Sequence, residues 1–359
     1  MPQMTRTHRR SFRIAIVAMA LVANAATRSA VLAQQHSAPS ANTLSIPARQ
    51  HPNAVPSITA PLGQPETSLE VPSLKLRSQP GYEQVTVTVT DSSGKYVADL
   101  KEDDFRVLED GQQRPIGFFR VDRTAPVSVG IVVDCSSSMF SKMWQARTAI
   151  TRMVDDLDSR DDIFLESFSD EAQLLQPFTL VHAQVIDHLS FLHAQTHTAL
   201  FDAVYMGLFE MQHAGHDKRV LLVITDGMDN ESTMTRGQVI AAARAMKVLI
   251  YTIGIGDEAI GPDHGGLLSL DDEEVDMTTL KALSEETGAR AFNLHRMGDG
   301  GELSRDCEAI SDELTRQYTV AYLSPDPGRP GYRSLHVDIP RHPELSVRVR
   351  KGVAVIPPK

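Results

Sequence analysis

The chain has 359 residues, 42% of them hydrophobic, with a formal net charge of −11. That length allows two or three domains, and that apolar fraction can supply an ordinary core. Residues 1–33 hold five arginines and no acid, leaving −16 for the rest; such a surface repels phosphates and argues against nucleic acid as a partner. Only two cysteines are present, Cys135 and Cys307, which excludes a disulfide scaffold and a cysteine-rich zinc module.

The first 33 residues read as a signal peptide. Arg6, Arg9, Arg10 and Arg13 form a basic start. Ile14 to Ala26 is an apolar run too short to span a bilayer, and Val31–Ala33 is a small-residue cleavage site. An uncut membrane anchor is the alternative. Arg9–Phe12 also resembles a twin-arginine signal, so the sequence leaves the export route open. The expected location is the periplasm or outside the cell, with no membrane span after cleavage. Residues 34–68 are rich in Pro, Ser, Ala and Gln without apolar period and read as a disordered linker.

Residues 69–123 then read as antiparallel β-structure. Val85, Val87 and Val89 alternate with threonines, as in a half-buried strand. DSSGK is a turn, while YVADL, DFRVLEDGQ and PIGFFRV read as further strands; Glu109–Gly111 signals a hairpin. From Pro126 the rhythm changes. PVSVGIVVD is nearly continuous in apolar residues, as in a strand buried on both faces. Helical periods follow at Ser141–Leu157, 183–193, 199–213, Thr235–Met246, Met277–Thr287 and Glu302–Arg316. Between them DIFLESF, AQLLQPF, RVLLVITDG, VLIYTIGIG and ARAFNL read as strands. This alternation predicts an α/β domain over 124–317, a doubly wound, mostly parallel sheet. Period two returns over 318–359. Neither flanking segment suffices for its own core, so the two are expected to form one sandwich around the α/β domain.

In an open parallel sheet, ligands bind beyond the carboxyl ends of the strands. Three oxygen-rich loops lie at or near such ends: DCSSS after Val133, THTALFDA over Thr196–Ala203, and TDG over Thr225–Gly227. Asp134, Ser136, Ser138, Thr198 and Asp226 supply two carboxylates and three hydroxyls. All are hard donors that, with water, suit Mg²⁺, or Mn²⁺ or Ca²⁺ in its place. Two aspartates acting partly through water leave such an ion electron-poor. It then calls for one more anionic oxygen, such as a carboxylate on a protein partner.

These motifs, DxSxS, TxLxxA and TDG after a buried strand, together resemble the von Willebrand factor type A (vWA) fold and its metal-ion-dependent adhesion site. The likeness spans residues 125–317. The DFRVLEDG flank resembles the bacterial vWA-related proteins of acidobacterial type. The resemblance implies that Ser136, Ser138 and Thr198 bind the ion directly and that Asp134 and Asp226 act mainly through water. Ser137 stands where the family usually has glycine. The function expected is non-catalytic adhesion to an acidic group on a partner protein. One alternative is a structural subunit of an envelope complex with a fold-locking or vestigial metal site. Another is a metal-dependent hydrolase, although GxSxG, Walker A and a full dinucleotide fingerprint are all absent.

Other features have plainer readings. The spaced histidines His193, His197, His213 and His216 read as solvated helix ends rather than zinc ligands. The acidic loop Asp257–Asp276 lacks EF-hand spacing, and Asp276 reads as a helix cap. Cys135 and Cys307 read as buried free thiols, with a disulfide as the alternative in an oxidising compartment.

Overall fold

The structure, a computed structural model, describes residues 81–192, 197–258, 274–294, 301–325 and 330–355. The leader, the linker, His193, Thr196 and most of the acidic loop lie outside the described residues. The chain opens with β1 (Tyr82–Thr90), β2 (Arg106–Glu109), β3 (Gln112–Arg114) and β4 (Ile116–Val121). β2 and β3 form a hairpin in which Asp110 and Gly111 both take positive φ (49° and 73°), the conformation for which an Asp-Gly pair suits a two-residue turn. YVADL is not a strand. Tyr96 makes one isolated bridge to Thr90, Val97 N–H adds one bond to the Val89 carbonyl, and Leu100 N–H then donates to a side chain, the Tyr318 hydroxyl at 3.1 Å.

The central region runs β5 (Val127–Asp134), α1 (Met143–Asp156), β6 (Asp162–Phe168), β7 (Ala172–Thr179), α2 (His182–His188), α3 (Leu200–Glu210), β8 (Lys218–Thr225), α4 (Arg236–Met246) and β9 (Val248–Ile255). It continues through β10 (Asp257–Glu258), β11 (Glu274–Val275), α5 (Met277–Thr287), β12 (Ala291–Leu294) and α6 (Gly301–Leu314). Six strands form one sheet in the order β12-β9-β8-β5-β6-β7, all parallel except β7, which runs antiparallel to β6. Every residue of β5 is buried. Val129, Ile131 and Val133 pack with α1, α2 and α6, while Val132 packs with α3, α4 and α5. The continuous apolar run thus reflects helices on both faces. The helix expected from Ser141 begins later. Ser137–Lys142 is a 3₁₀ segment, and regular α-structure starts at Met143.

The chain ends with β13 (Tyr318–Leu323), β14 (Gly331–Asp338), β15 (Ser346–Arg348) and β16 (Gly352–Val355). These pair with the first strands in two antiparallel sheets, β15-β1-β13-β4 and β16-β14-β2-β3. Val85, Val87, Val89, Phe105 and Val107 from the early strands share one buried cluster with Tyr318, Val320, Tyr322, Leu335 and Val337. Phe105, Phe119 and Tyr318 stack with ring centroids 5.0–5.5 Å apart.

Glu313, on the last turn of α6, is fully buried. Its carboxylate accepts hydrogen bonds from Tyr251 of β9 (2.6 Å), Tyr96 (3.0 Å), Thr88 of β1 (3.2 Å) and Gln317 (3.2 Å), and pairs with Arg348 of β15. Burial raises the Tyr251 hydroxyl well above its ordinary range and the Glu313 charge adds to this, so the phenol stays a donor. Glu313→Ala leaves Arg348 and these donors without their acceptor. Urea unfolding is expected to show a loss of about 3–5 kcal/mol.

Glu166, in the middle of β6, is a buried carboxyl of the opposite kind. Its Oε1 has no hydrogen-bond partner among the described residues. Burial, with the nearby Glu210 carboxylate adding to it, pushes the group up to about 8 from an ordinary 4.5. The folded chain therefore keeps this proton to a higher pH than the unfolded chain. Its effect on stability is absent below about pH 4.5, and stability falls as pH rises toward 8. Glu166→Gln is expected to match the wild type in urea at about pH 3.5 and to exceed it by roughly 2–4 kcal/mol at about pH 9.

Candidate functional site

β5 lies at the switch point of the large sheet, with β6 on one side and β8 on the other, both parallel to it. The loops leaving β5 and β8 must diverge there, and a crevice opens at the carboxyl ends of the strands. Asp134 ends β5 and Asp226 follows β8; they are 0% and 1% exposed. The two halves meet through a chain of hydroxyls. Ser136 N–H donates to Asp134 Oδ1 at 2.7 Å, the Ser136 and Ser138 hydroxyls lie 3.0 Å apart, and the Ser138 hydroxyl donates to Asp226 Oδ2. Four of the five residues singled out in the sequence are thus joined directly.

Thr198 joins the same loop system through its backbone. Its N–H donates to Asn230 Oδ1 (3.1 Å), and its carbonyl accepts from the N–H groups of Asn230 (3.0 Å) and Glu231 (3.2 Å). The next residue, Ala199, donates its N–H to the Ser169 carbonyl at 2.6 Å, so the Thr198 turn is held between the loops after β6 and β8. The side chain is buried. Ser137 has no positive φ, so the position needs no glycine, and its side chain is exposed.

Two supporting residues escaped the sequence reading. Thr225 donates its hydroxyl to Asp134 Oδ2 at 2.6 Å and accepts from Gly227 N–H at 3.0 Å, orienting the carboxylate and closing the turn together. Asn230 fixes Thr198. Thr225 lay within the TDG motif, where position two before a turn glycine was the available signal; nothing in the sequence paired Asn230 with Thr198. Gly227 takes φ +83°, and a Cβ there would meet the Asp276 carbonyl at 3.0 Å, so the turn is close-packed as well as left-handed. Asp276 N–H donates to the Asp226 carbonyl (3.0 Å), and its side chain caps α5 through Thr279 N–H (3.0 Å).

The electrostatics are those of two acids forced together. Burial pushes the Asp134 carboxyl up to about 7, with the Asp226 charge adding to it and the Thr225 and Ser136 donors opposing it. A hard cation among these oxygens would reverse that penalty, so the donor set fits one chemically. Among the described residues no group of three or more His, Cys, Asp or Glu side chains is placed to hold a metal. His213 sits beside Glu210, and His216 Nε2 bonds the Arg160 carbonyl at 2.7 Å. Cys135 and Cys307 are buried and unbridged, and burial pushes the Cys307 thiol up to about 12.

Residues 128–305 match the family model for the von Willebrand factor type A domain. The chain carries a vWA domain. An uncharacterized protein of Borreliella burgdorferi is 27% identical over 142 residues, which cover 37% of this chain; the chain spans 42% of that relative's length. Among solved structures, the conserved hypothetical protein BatB from Bacteroides thetaiotaomicron is similar at 18% identity and a TM-score of 0.43, over 53% of this chain and 97% of that one. A von Willebrand factor type A protein from Catenulispora acidiphila is similar at 13% identity and a TM-score of 0.45, over 69% and 75%. The vWF domain of the type V pili tip protein Mfa5 from Porphyromonas gingivalis is similar at 14% identity and a TM-score of 0.40, over 53% and 97%. No helix among the described residues of this vWA protein is long and apolar enough to cross a membrane.

Thr225→Val keeps the shape of the side chain and removes both of its hydrogen bonds. Urea unfolding in the presence of a chelator is expected to show a loss of about 1–3 kcal/mol.

Proposed function

We propose that this vWA protein is an exported, non-catalytic adhesion protein. Asp134, Ser136, Ser138, Thr198 and Asp226 would hold one divalent cation of the Mg²⁺ type, and the cation would bind a carboxylate on a partner protein. The observation that carries this reading is the burial of both Asp134 and Asp226 at the switch point, linked to one another through Ser136 and Ser138. Two buried carboxylates that feel each other's charge destabilise each other without a counter-charge. A cation supplies that charge and an open coordination position for an incoming acid. Thr225 and the Ser136 N–H hold Asp134 in place for it, and Asn230 holds the Thr198 turn. The basic, apolar leader supports export to the periplasm or beyond.

One observation favours a second reading, a structural subunit whose metal site locks the fold or is vestigial. Asp134 and Asp226 already accept hydrogen bonds from Thr225 and Ser138, so the site satisfies part of its own polar demand. Calorimetric titration with Mg²⁺ and Mn²⁺ separates the two. The adhesion reading expects one ion per wild-type chain and none on folded Asp134→Ala. A folded wild type that binds neither ion at millimolar concentration would hand the function to the structural reading.

A further inference from the structure

Close in the chain to the oxygen donors stand large apolar side chains that the fold leaves exposed. Phe140, two residues past Ser138, is 76% exposed; Met228, two residues past Asp226, is 50% exposed. Trp144, one turn beyond Phe140, is 59% exposed. Their outward placement follows from the helical register. Met139 and Met143 of the same stretch point into the core, which turns Phe140 and Trp144 away from it. Covering any of the three further would release water from apolar surface. Phe140 and Met228 each follow a donor from one of the two strand ends that supply the carboxylates, and Trp144 lies in the first turn of α1 just beyond Phe140.

The net charge selects among acidic ligands. A chain at −11 repels a run of acids, and only the cation would attract one. Resting on the metal reading proposed above, we infer that the site takes a single carboxylate set among apolar side chains: an isolated Asp or Glu in an apolar segment of the partner. The cation would bind the acid, and Phe140, Trp144 and Met228 would cover its neighbours. An acidic tract would lose the apolar contacts and gain repulsion.

Trp144 is the chain's single tryptophan and reports on its own surroundings. Three synthetic peptides would be titrated against the full chain with Mg²⁺: one aspartate flanked by leucine and phenylalanine, the same aspartate flanked by serines, and four aspartates in a row. The apolar-flanked peptide is expected to shift Trp144 emission to the blue and to bind about tenfold more tightly than the serine-flanked one. A chelator should abolish the signal. Phe140→Ser and Met228→Ser should each weaken that peptide several-fold while Mn²⁺ affinity, read by calorimetry, stays unchanged. Mn²⁺ bound with all three peptides equal, or with the tetra-aspartate tightest, would overturn the apolar selection alone. Absence of Mn²⁺ binding to the folded wild type would overturn the metal reading and this inference with it. Apolar-peptide binding that persists in chelator would also overturn the inference.

Discussion

The carboxylate of Glu313 is where the separate parts of the chain meet. It accepts from a tyrosine of the central sheet, from a threonine on the first strand and from a tyrosine just beyond it, and it pairs with an arginine of the fifteenth strand. A charge at that depth is tolerable only with a full set of donors, because desolvation otherwise outweighs any single contact. Three of its partners, Thr88, Tyr251 and Arg348, come from three different strands, so none of these strands can shift without leaving the carboxylate short of a partner. The last helix of the vWA domain is thereby tied at its end to strands from both termini of the described chain.

That tie matters for the site because the same helix covers one face of the large sheet. Cys307, Ile310 and Leu314 pack in the cluster that contains Val129, Ile131 and Val133 of β5. Asp134 closes that strand's buried run. A rigid β5 holds its terminal carboxylate close to Asp226 despite their mutual repulsion. The loops that follow are polar and bonded to one another, while the apolar residues beside them face solvent. Two like charges and exposed apolar side chains thus stand together at the carboxyl ends of β5 and β8.

Much of the α/β region was legible because its signals are local. Apolar runs in β5 and β8 mark strands buried on two faces, α5 begins and ends where Asp276 and Gly288 say it should, and Asp110-Gly111 turns a hairpin. YVADL failed because an alternating pattern over five residues does not require a ladder; Val97 and Leu100 are instead bonded by distant partners, Val97 N–H to Val89 and Leu100 N–H to Tyr318. The start of α1 slipped because the 3₁₀ turn at Ser137–Lys142 carries the same apolar period as the helix after it.

For the site, the sequence by itself determined which oxygen donors stand at the ends of which strands, since residue type and apolar period are properties of short segments. The tertiary structure alone decided that Asp134 and Asp226 are buried near one another, that Thr225 orients one of them and Asn230 the Thr198 turn, and that Phe140, Trp144 and Met228 are left exposed. Those are outcomes of packing between segments tens of residues apart. A local pattern can say what a side chain prefers, but its charge, its partners and its exposure depend on what the rest of the chain places beside it.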